Sequence, residues 1–394
     1  MKQVVFYFML VLTLCSCKNR ENKFITAPIQ ENIHYTTEIL PTDSIIIKVP
    51  ENKFAVYHTK AIYKDQFFFG VHLNQRNIID IYDIDSAKFY KSIEVDNDAL
   101  SDRISGLYVQ SMDSIYFYQN TPRTVFLIDS TGHILQKWTE ERLKISLNDH
   151  PELSTFPINL ITLPIYSPLI TGNKMYLTLD PGGAYKLYPQ VERVGVYDLK
   201  ECKWIGFFSK YEDVEYNKKG YSYTYDLEQP YLTQGSNSII VSYPMDHYVY
   251  VFDPNTNELV KKVPVYSKYA TDLPVPLKDK DIDNCQKNWN FRVQTPFYGP
   301  LYYHEKEQKY TRVIHHAQPL IDGNGMINNG QERLASIIIL DHDLNIIGES
   351  LFENGDLGVY AYLPLSDGLY ISRQADDTYA PFLAFNTKLS FQTR

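Results

Sequence analysis

The sequence predicts an all-β chain folded as a six-bladed β-propeller of four-stranded antiparallel blades, and three observations carry that prediction. Composition comes first: 394 residues with 33 Tyr against 6 Met and 10 His, 44% hydrophobic and 14% aromatic, describe a chain rich in strand formers with a large core. Second, one phrase recurs six times, an apolar run that ends on Asp or Asn and a turn. Its copies are Ile79-Asp80-Ile81-Tyr82-Asp83, Val125-Phe126-Leu127-Ile128-Asp129, Val194-Gly195-Val196-Tyr197-Asp198, Val249-Tyr250-Val251-Phe252-Asp253, Ile337-Ile338-Ile339-Leu340-Asp341 and Phe382-Leu383-Ala384-Phe385-Asn386. Third, a proline recurs two strands earlier, as in Ser167-Pro168-Leu169, Gln229-Pro230-Tyr231, Gly299-Pro300-Leu301 and Leu363-Pro364-Leu365. Proline cannot donate to a ladder and belongs on an edge, and the innermost strand of a propeller blade is an edge facing the central channel. The shortest steps, Asp83 to Asp129 and Asp341 to Asn386, match the roughly 40 to 50 residues of a propeller blade. A β-sandwich, or two, is the competing architecture, but it does not require the same four-strand grammar in every unit.

From the start of the chain, Val4 to Leu14 is a short apolar run behind Lys2, closed by Leu14-Cys15-Ser16-Cys17. The run falls short of the ~20 residues of a spanning helix, and the box resembles a bacterial lipoprotein cleavage site. Residues 1–16 then read as a signal peptide, and the resemblance implies that Cys17 is lipidated and holds the protein to a membrane. An ordinary signal cleaved elsewhere is the alternative. Residues 17–43, with scattered charge, Pro28 and Pro41, read as a tether, and residues 44–394 as the propeller. The run Ile45-Ile46-Ile47 is expected to supply the outer strand of the last blade and close the ring.

Spacing between repeats is uneven, and the excess falls at 140–163, 209–227 and 266–295, between the outer strand of one blade and the inner strand of the next, or at 180–193 and 315–335, between second and third strands. In an antiparallel blade both kinds of connection emerge on one face. That face is the expected binding surface. Its aromatic and basic residues make the candidate site: Tyr211, Tyr221, Tyr223, Tyr225, Trp289, Phe291, Arg292, Arg312 and His315. Packing of the loops on one another is the competing role for any single ring, and a structural ion pair the competing role for Arg312.

Most chemical motifs fail on inspection. His304-Glu305-Lys306-Glu307-Gln308 lacks the second histidine of a zinc-protease helix, Gly323-Asn324-Gly325 lacks the third glycine of a dinucleotide fingerprint, and the loop from Asp341 has Ile346 where a calcium loop needs Gly. Adjacent His315 and His316 point to opposite sides of a strand, so a metal would need further ligands such as Asp322 or Glu332. No metal and no cofactor is expected. A formal charge of −9 argues against nucleic acid as a partner. Cys202 and Cys285 either pair or stand apart; spacing does not decide.

The stretch Phe297-Tyr298-Gly299-Pro300-Leu301-Tyr302-Tyr303 through Tyr310-Thr311-Arg312, together with the lipidation box and the six repeats, resembles a family of Bacteroidota lipoproteins known only as a domain of unknown function (DUF4221-like) with a TolB-like six-bladed propeller. The resemblance implies an outer-membrane lipoprotein and transfers no site residues. Lys18-Asn19-Arg20-Glu21 departs from the acidic patch of surface-exported lipoproteins, which leaves the periplasmic and outer leaflets both open. The functions in play are a monomeric binding or sensory propeller for a glycan, peptide or protein, and an envelope glycan hydrolase or lyase with carboxylates such as Asp180, Asp226 and Glu332 at the channel mouth. A structural assembly part is the third.

Overall fold

The computed structural model describes residues 24–28, 33–50, 57–72, 77–96, 98, 100–119, 121–143, 145, 159–160, 167–180, 192–210, 220–328, 333–352, 362–372 and 382–393. Six antiparallel sheets of the predicted grammar are present. Blade 1 runs Tyr57–Tyr63, Phe67–His72, Ile78–Asp83, Lys88–Glu94, and blade 2 Ile104–Ser111, Ser114–Gln119, Thr124–Ile128, Ile134–Trp138. Blade 3 is Leu169–Thr171, Lys174–Asp180, Glu192–Asp198, Lys203–Lys210, with Asn159–Leu160 added along its second strand. Blade 4 is Tyr231–Gln234, Ile239–Ser242, Tyr248–Phe252, Leu259–Pro264, and blade 5 Phe297–His304, Lys309–His315, Ala335–Leu340, Ile346–Phe352.

Blade 6 closes the ring with strands from both ends of the chain. Its order from inside out is Tyr362–Leu365, Gly368–Ser372, Phe382–Thr393 and Thr37–Lys48. The outer strand therefore starts seven residues before the boundary at residue 44, and Ile39 as well as Ile47 is fully buried. Part of the expected tether is also docked, since Phe24–Thr26 pairs with Asp272–Pro274. Blade 6 also breaks the repeat. Asn386 opens no turn, because the strand that contains it runs on to Thr393 to meet its N-terminal partner.

In the other blades the terminal aspartate does open the turn. One carboxylate oxygen of Asp129 accepts the amides of Thr131 (2.8 Å) and His133 (3.1 Å), and Asp341 accepts those of Asp343 and Asn345 (2.9 Å each). The Thr131 hydroxyl, donating to Asp129 at 2.6 Å, and then the Thr131 and His133 amides favour the charged form and hold the Asp129 carboxyl below its ordinary range. The hydrophobic core is divided between neighbouring blades. Phe69, Val71 and Ile81 of blade 1 meet Ile104, Phe117 and Phe126 of blade 2, while Val313, Ile337 and Ile339 of blade 5 meet Leu369 and Ile371 of blade 6. Alternation along each strand thus feeds two interfaces at once.

The insertion before blade 5 is more ordered than a loop. Asn284 caps a helix, Cys285–Gln294, by accepting the Lys287 amide at 3.0 Å, and Leu277–Lys278 pairs with Tyr221–Ser222 of the preceding insertion. Its apolar residues Leu273 and Tyr266, with Tyr223 of the preceding insertion, join the core of blades 3 to 5. Cys202 and Cys285 are free thiols.

Candidate functional site

The six innermost strands surround a cavity of about 1330 Å³ that fills the propeller axis. Pro168, Pro300 and Pro364 lie in its wall, where a missing amide leaves no ladder partner wanting. Rings of Tyr57, Tyr108, Tyr231, Phe297, Tyr302 and Tyr362 line it, with polar atoms from Thr59, Ser167, Thr233 and His315 between them. Register shifts sit beside the cavity at Tyr57/Thr59 in blade 1, at Ser105/Leu107 and Val109/Ser111 in blade 2 and at Tyr298/Leu301 in blade 5, and re-aim side chains that a regular ladder would send elsewhere.

Many of these polar groups are already engaged. The Tyr57 hydroxyl points back into blade 1, 2.6 Å from that of Tyr82 and 3.0 Å from Asp80, while Tyr108 donates to the Ile170 carbonyl at 3.0 Å and Thr233 to that of Leu301 at 2.5 Å. Three are not. Thr59 Oγ1, Tyr362 Oη and His315 Nδ1 are buried without a hydrogen-bond partner. His315 lies between the rings of Phe297 (5.0 Å) and Tyr362 (6.0 Å), and burial, with Arg333 and His316 nearby, lowers its pKa to about 3, so the imidazole is neutral at ordinary pH.

The lining carries two cations and two carboxylates. Lys64, Asp65 and Glu305 belong to turns between first and second strands, at the end of the channel opposite the insertions, where Asp65 accepts the Ser366 amide at 2.8 Å. Lys60 sits within the inner strand of blade 1, and burial lowers its ammonium pKa to about 8.

The predicted site residues fall into separate places. Tyr221 lies in the two-stranded patch beside Lys278, whose ammonium is 5.9 Å from its ring. Tyr223 is buried, donates to the Pro274 carbonyl at 3.0 Å and faces Phe291 at 6.3 Å, so this ring packs the insertion and is not offered to a ligand. Trp289 is exposed on the helix, and the Arg292 carbonyl accepts from Arg333 at 2.5 Å. Arg312 is corrected from ligand contact to framework. Fully buried, it donates to the carbonyls of Val265, Tyr243 and Asp246 at 2.8 to 3.0 Å and stacks 3.8 Å from the Tyr298 ring. Among the described residues of the set, only His315 lines the cavity. Tyr211, Glu332 and Cys17 lie outside the described residues, as do the side chains of Tyr225, Asp180 and Asp226.

His316 points away from His315, its Nε2 3.1 Å from Ser336 Oγ. Among the described residues no three His, Cys, Asp or Glu side chains gather as metal ligands would. The channel wall outside His315 was missed because its residues obey no spacing motif; the recurring proline was the available signal, since it marks the strands that make the wall.

A family model described as "Domain of unknown function (DUF4221)" matches residues 42–351, spanning most of the chain. The chain belongs to the DUF4221 family. A crystal structure of a DUF4221 member from Bacteroides vulgatus ATCC 8482 superimposes with a TM-score of 0.69 at 16% identity, covering 92% of this chain and 100% of that one. At that identity the likeness shows the fold alone. A putative exported protein from Bacteroides fragilis NCTC 9343 aligns at 13% identity and a TM-score of 0.48, over 83% of this chain and 78% of its own. No curated protein matches the chain. The DUF4221 match covers blades 1 to 5 and the last part of the closing strand Thr37–Lys48.

Proposed function

We propose that this DUF4221 protein is a cell-envelope binding protein, held to the outer membrane through a lipidated Cys17, that captures a glycan or peptide chain in its central channel from the face carrying the insertions. One observation carries this reading: three buried polar atoms without partners border a cavity of about 1330 Å³. Each such atom left unbonded costs roughly 1 to 3 kcal/mol. A ligand that bonds them recovers that cost. The volume exceeds the ~300 to 1,000 Å³ of ordinary small-molecule pockets, which favours an oligomer over a single small molecule. His315, Phe297 and Tyr362 lie at strand ends on the insertion side, so that mouth is the natural way in.

The test is a glycan and peptide array probed with the full chain, with a Leu232→Trp variant that fills the channel, and with a variant shortened across 211–225. Binding lost in Leu232→Trp supports the channel. Binding lost only with the shortened loop places recognition on the insertions. Membrane attachment is tested separately by fractionating cells that express the Cys17→Ser variant, which should leave the membrane fraction.

A further inference from the structure

We propose that the protein rests on the bilayer through an apolar hairpin of blade 5, whose Ile321, Met326 and Ile327 dip into the boundary of headgroups and acyl chains beside the anchor on Cys17. This rests on the lipidation of Cys17 in the reading above and adds to it a seating surface. The hairpin occupies residues 317–328 of the insertion between the second and third strands of blade 5. Ile321 pairs with Ile327, the Asp322 amide donates to the Met326 carbonyl at 2.8 Å, and the Asn328 amide donates to that of Leu320 at 2.9 Å. Asp322, its only charged residue, turns its carboxylate onto the amides of Asn324 (2.9 Å) and Met326 (2.8 Å). The finger is thus built and nearly uncharged, yet Met326 is 68% exposed, Ile327 55% and Ile321 48%.

Neighbouring elements extend the patch. At the base of the hairpin the Gln318 amide donates to the Val293 carbonyl at 3.1 Å, one helical turn on from exposed Trp289, and the exposed Tyr269 ring lies 6.2 Å from that of His316. Exposed Leu334 accepts the His316 amide at 2.8 Å. Elsewhere among the described residues, apart from Phe24, large exposed apolar side chains stand on the outer strands of blades 1 to 5, one or two to each. An apolar tip with aromatic residues at its margin is the composition of an interfacial membrane contact.

The length of the chain before the arm decides what covers this patch. Phe24, 56% exposed, ends the arm that pairs with Asp272–Pro274, in the same insertion as the helix, and it lies seven residues after Cys17. Seven residues span at most about 25 Å when fully extended. A lipid on Cys17 therefore holds this sector of the propeller close to the bilayer. Lys18, Arg20 and Lys23, three basic residues against the one acidic Glu21, give that leash a positive charge suited to an anionic lipid surface. The patch belongs to blades 4 and 5 and the arm, so seating there does not require the channel mouth to be covered.

The experiment reconstitutes the lipidated full chain in vesicles of phosphatidylethanolamine and phosphatidylglycerol, with and without bromine on the acyl chains, and reads tryptophan quenching. Met326→Trp, at the hairpin tip, and Asn173→Trp, in an exposed turn of the opposite face, are compared with the parent chain after circular dichroism confirms folding. Bromolipid should quench the added fluorescence of Met326→Trp at least twofold and leave that of Asn173→Trp unchanged. No quenching in Met326→Trp, or equal quenching in both, overturns the seating while the anchor stands, shown by a parent chain that floats with the vesicles and a Cys17→Ser variant that does not. Emission of Met326→Trp that shifts with protein density and not with bromolipid assigns the patch to a second copy and also overturns the seating. A parent chain that floats no better than Cys17→Ser removes the anchor itself, and with it the leash on which the seating depends.

Discussion

The guanidinium of Arg312 lies 3.8 Å from the centre of the Tyr298 ring, between blades 4 and 5, and spends its hydrogen bonds on three backbone carbonyls. Two of those carbonyls, Tyr243 and Asp246, bound the turn that joins the second and third strands of blade 4, and the third, Val265, follows that blade's outer strand. One side chain of blade 5 thus fixes the end of its neighbour. Asp246 helps to hold the charge there.

Replacing Arg312 by Met should cost about 3 to 5 kcal/mol, because three buried acceptors lose their donor. Lys should restore only part, since an ammonium cannot span three carbonyls as a planar fork does. Urea unfolding of the two variants is the measurement, and equal stability of Arg and Met at this position would contradict the assignment.

A chain beginning at residue 50 should lose cooperative unfolding and aggregate, whereas one beginning at residue 33 should remain folded with a modestly lower Tm. The first lacks the whole outer strand of blade 6, including fully buried Ile39 and Ile47, worth about 2 kcal/mol each. The second lacks only the docked Phe24–Thr26 arm, which Ala27 and His247 help to hold through the Thr271 and Ile25 backbone. Calorimetry of the two truncations distinguishes them.

Gly348→Ala should destabilise by roughly 1 to 3 kcal/mol, since a methyl group there would stand 1.9 Å from the Thr37 carbonyl oxygen and push the closing strand off blade 5. Gly323→Ala, in the open turn where a methyl group meets nothing within 4 Å, should be close to neutral. Their difference in Tm reports how tightly the closing strand is seated.

Acid should unfold the protein starting near pH 6. Burial lowers the pKa of His247 and His304 to about 4 and of His315 to about 3, below the usual 6.5. As pH falls through 6.5 the unfolded chain takes up these protons and the folded chain does not, so stability drops until roughly pH 3 to 4. Asp246, raised to about 6 by burial, works the other way as it protonates in the fold first. Three histidines at about 3 kcal/mol apiece outweigh one carboxylate at about the same figure. A Tm measured from pH 8 to pH 4 should fall steadily below pH 6.5, and a flat profile would show that these imidazoles are hydrated.

What was legible in the sequence was whatever repeats. Asp129, Asp198, Asp253 and Asp341 each end a strand and open a turn because a short carboxylate reaches the next amides, a local event that composition alone reveals. Pro300 and Pro364 marked the channel wall for a similarly local reason. The site was not local. Thr59, Tyr362 and His315 come from three blades and meet only through ring closure, so no window of sequence contains them. Tyr223 and Arg312 misled because burial is decided by what packs above them, the insertion helix and the neighbouring blade. That helix was itself readable from its Asn284 cap, had the insertion not been taken as loop throughout.

The two strands that complete the ring, Thr37–Lys48 and Phe382–Thr393, stand at opposite extremes of the order in which a ribosome makes them. Five blades separate them in the chain, so the ring cannot shut before Phe382–Thr393 has been made. Any chain stopped early leaves blade 6 with an open edge, the kind of surface that recruits proteases and other strands. Ring closure thus makes the two strands of blade 6 answerable to each other: neither has a complete sheet without the other.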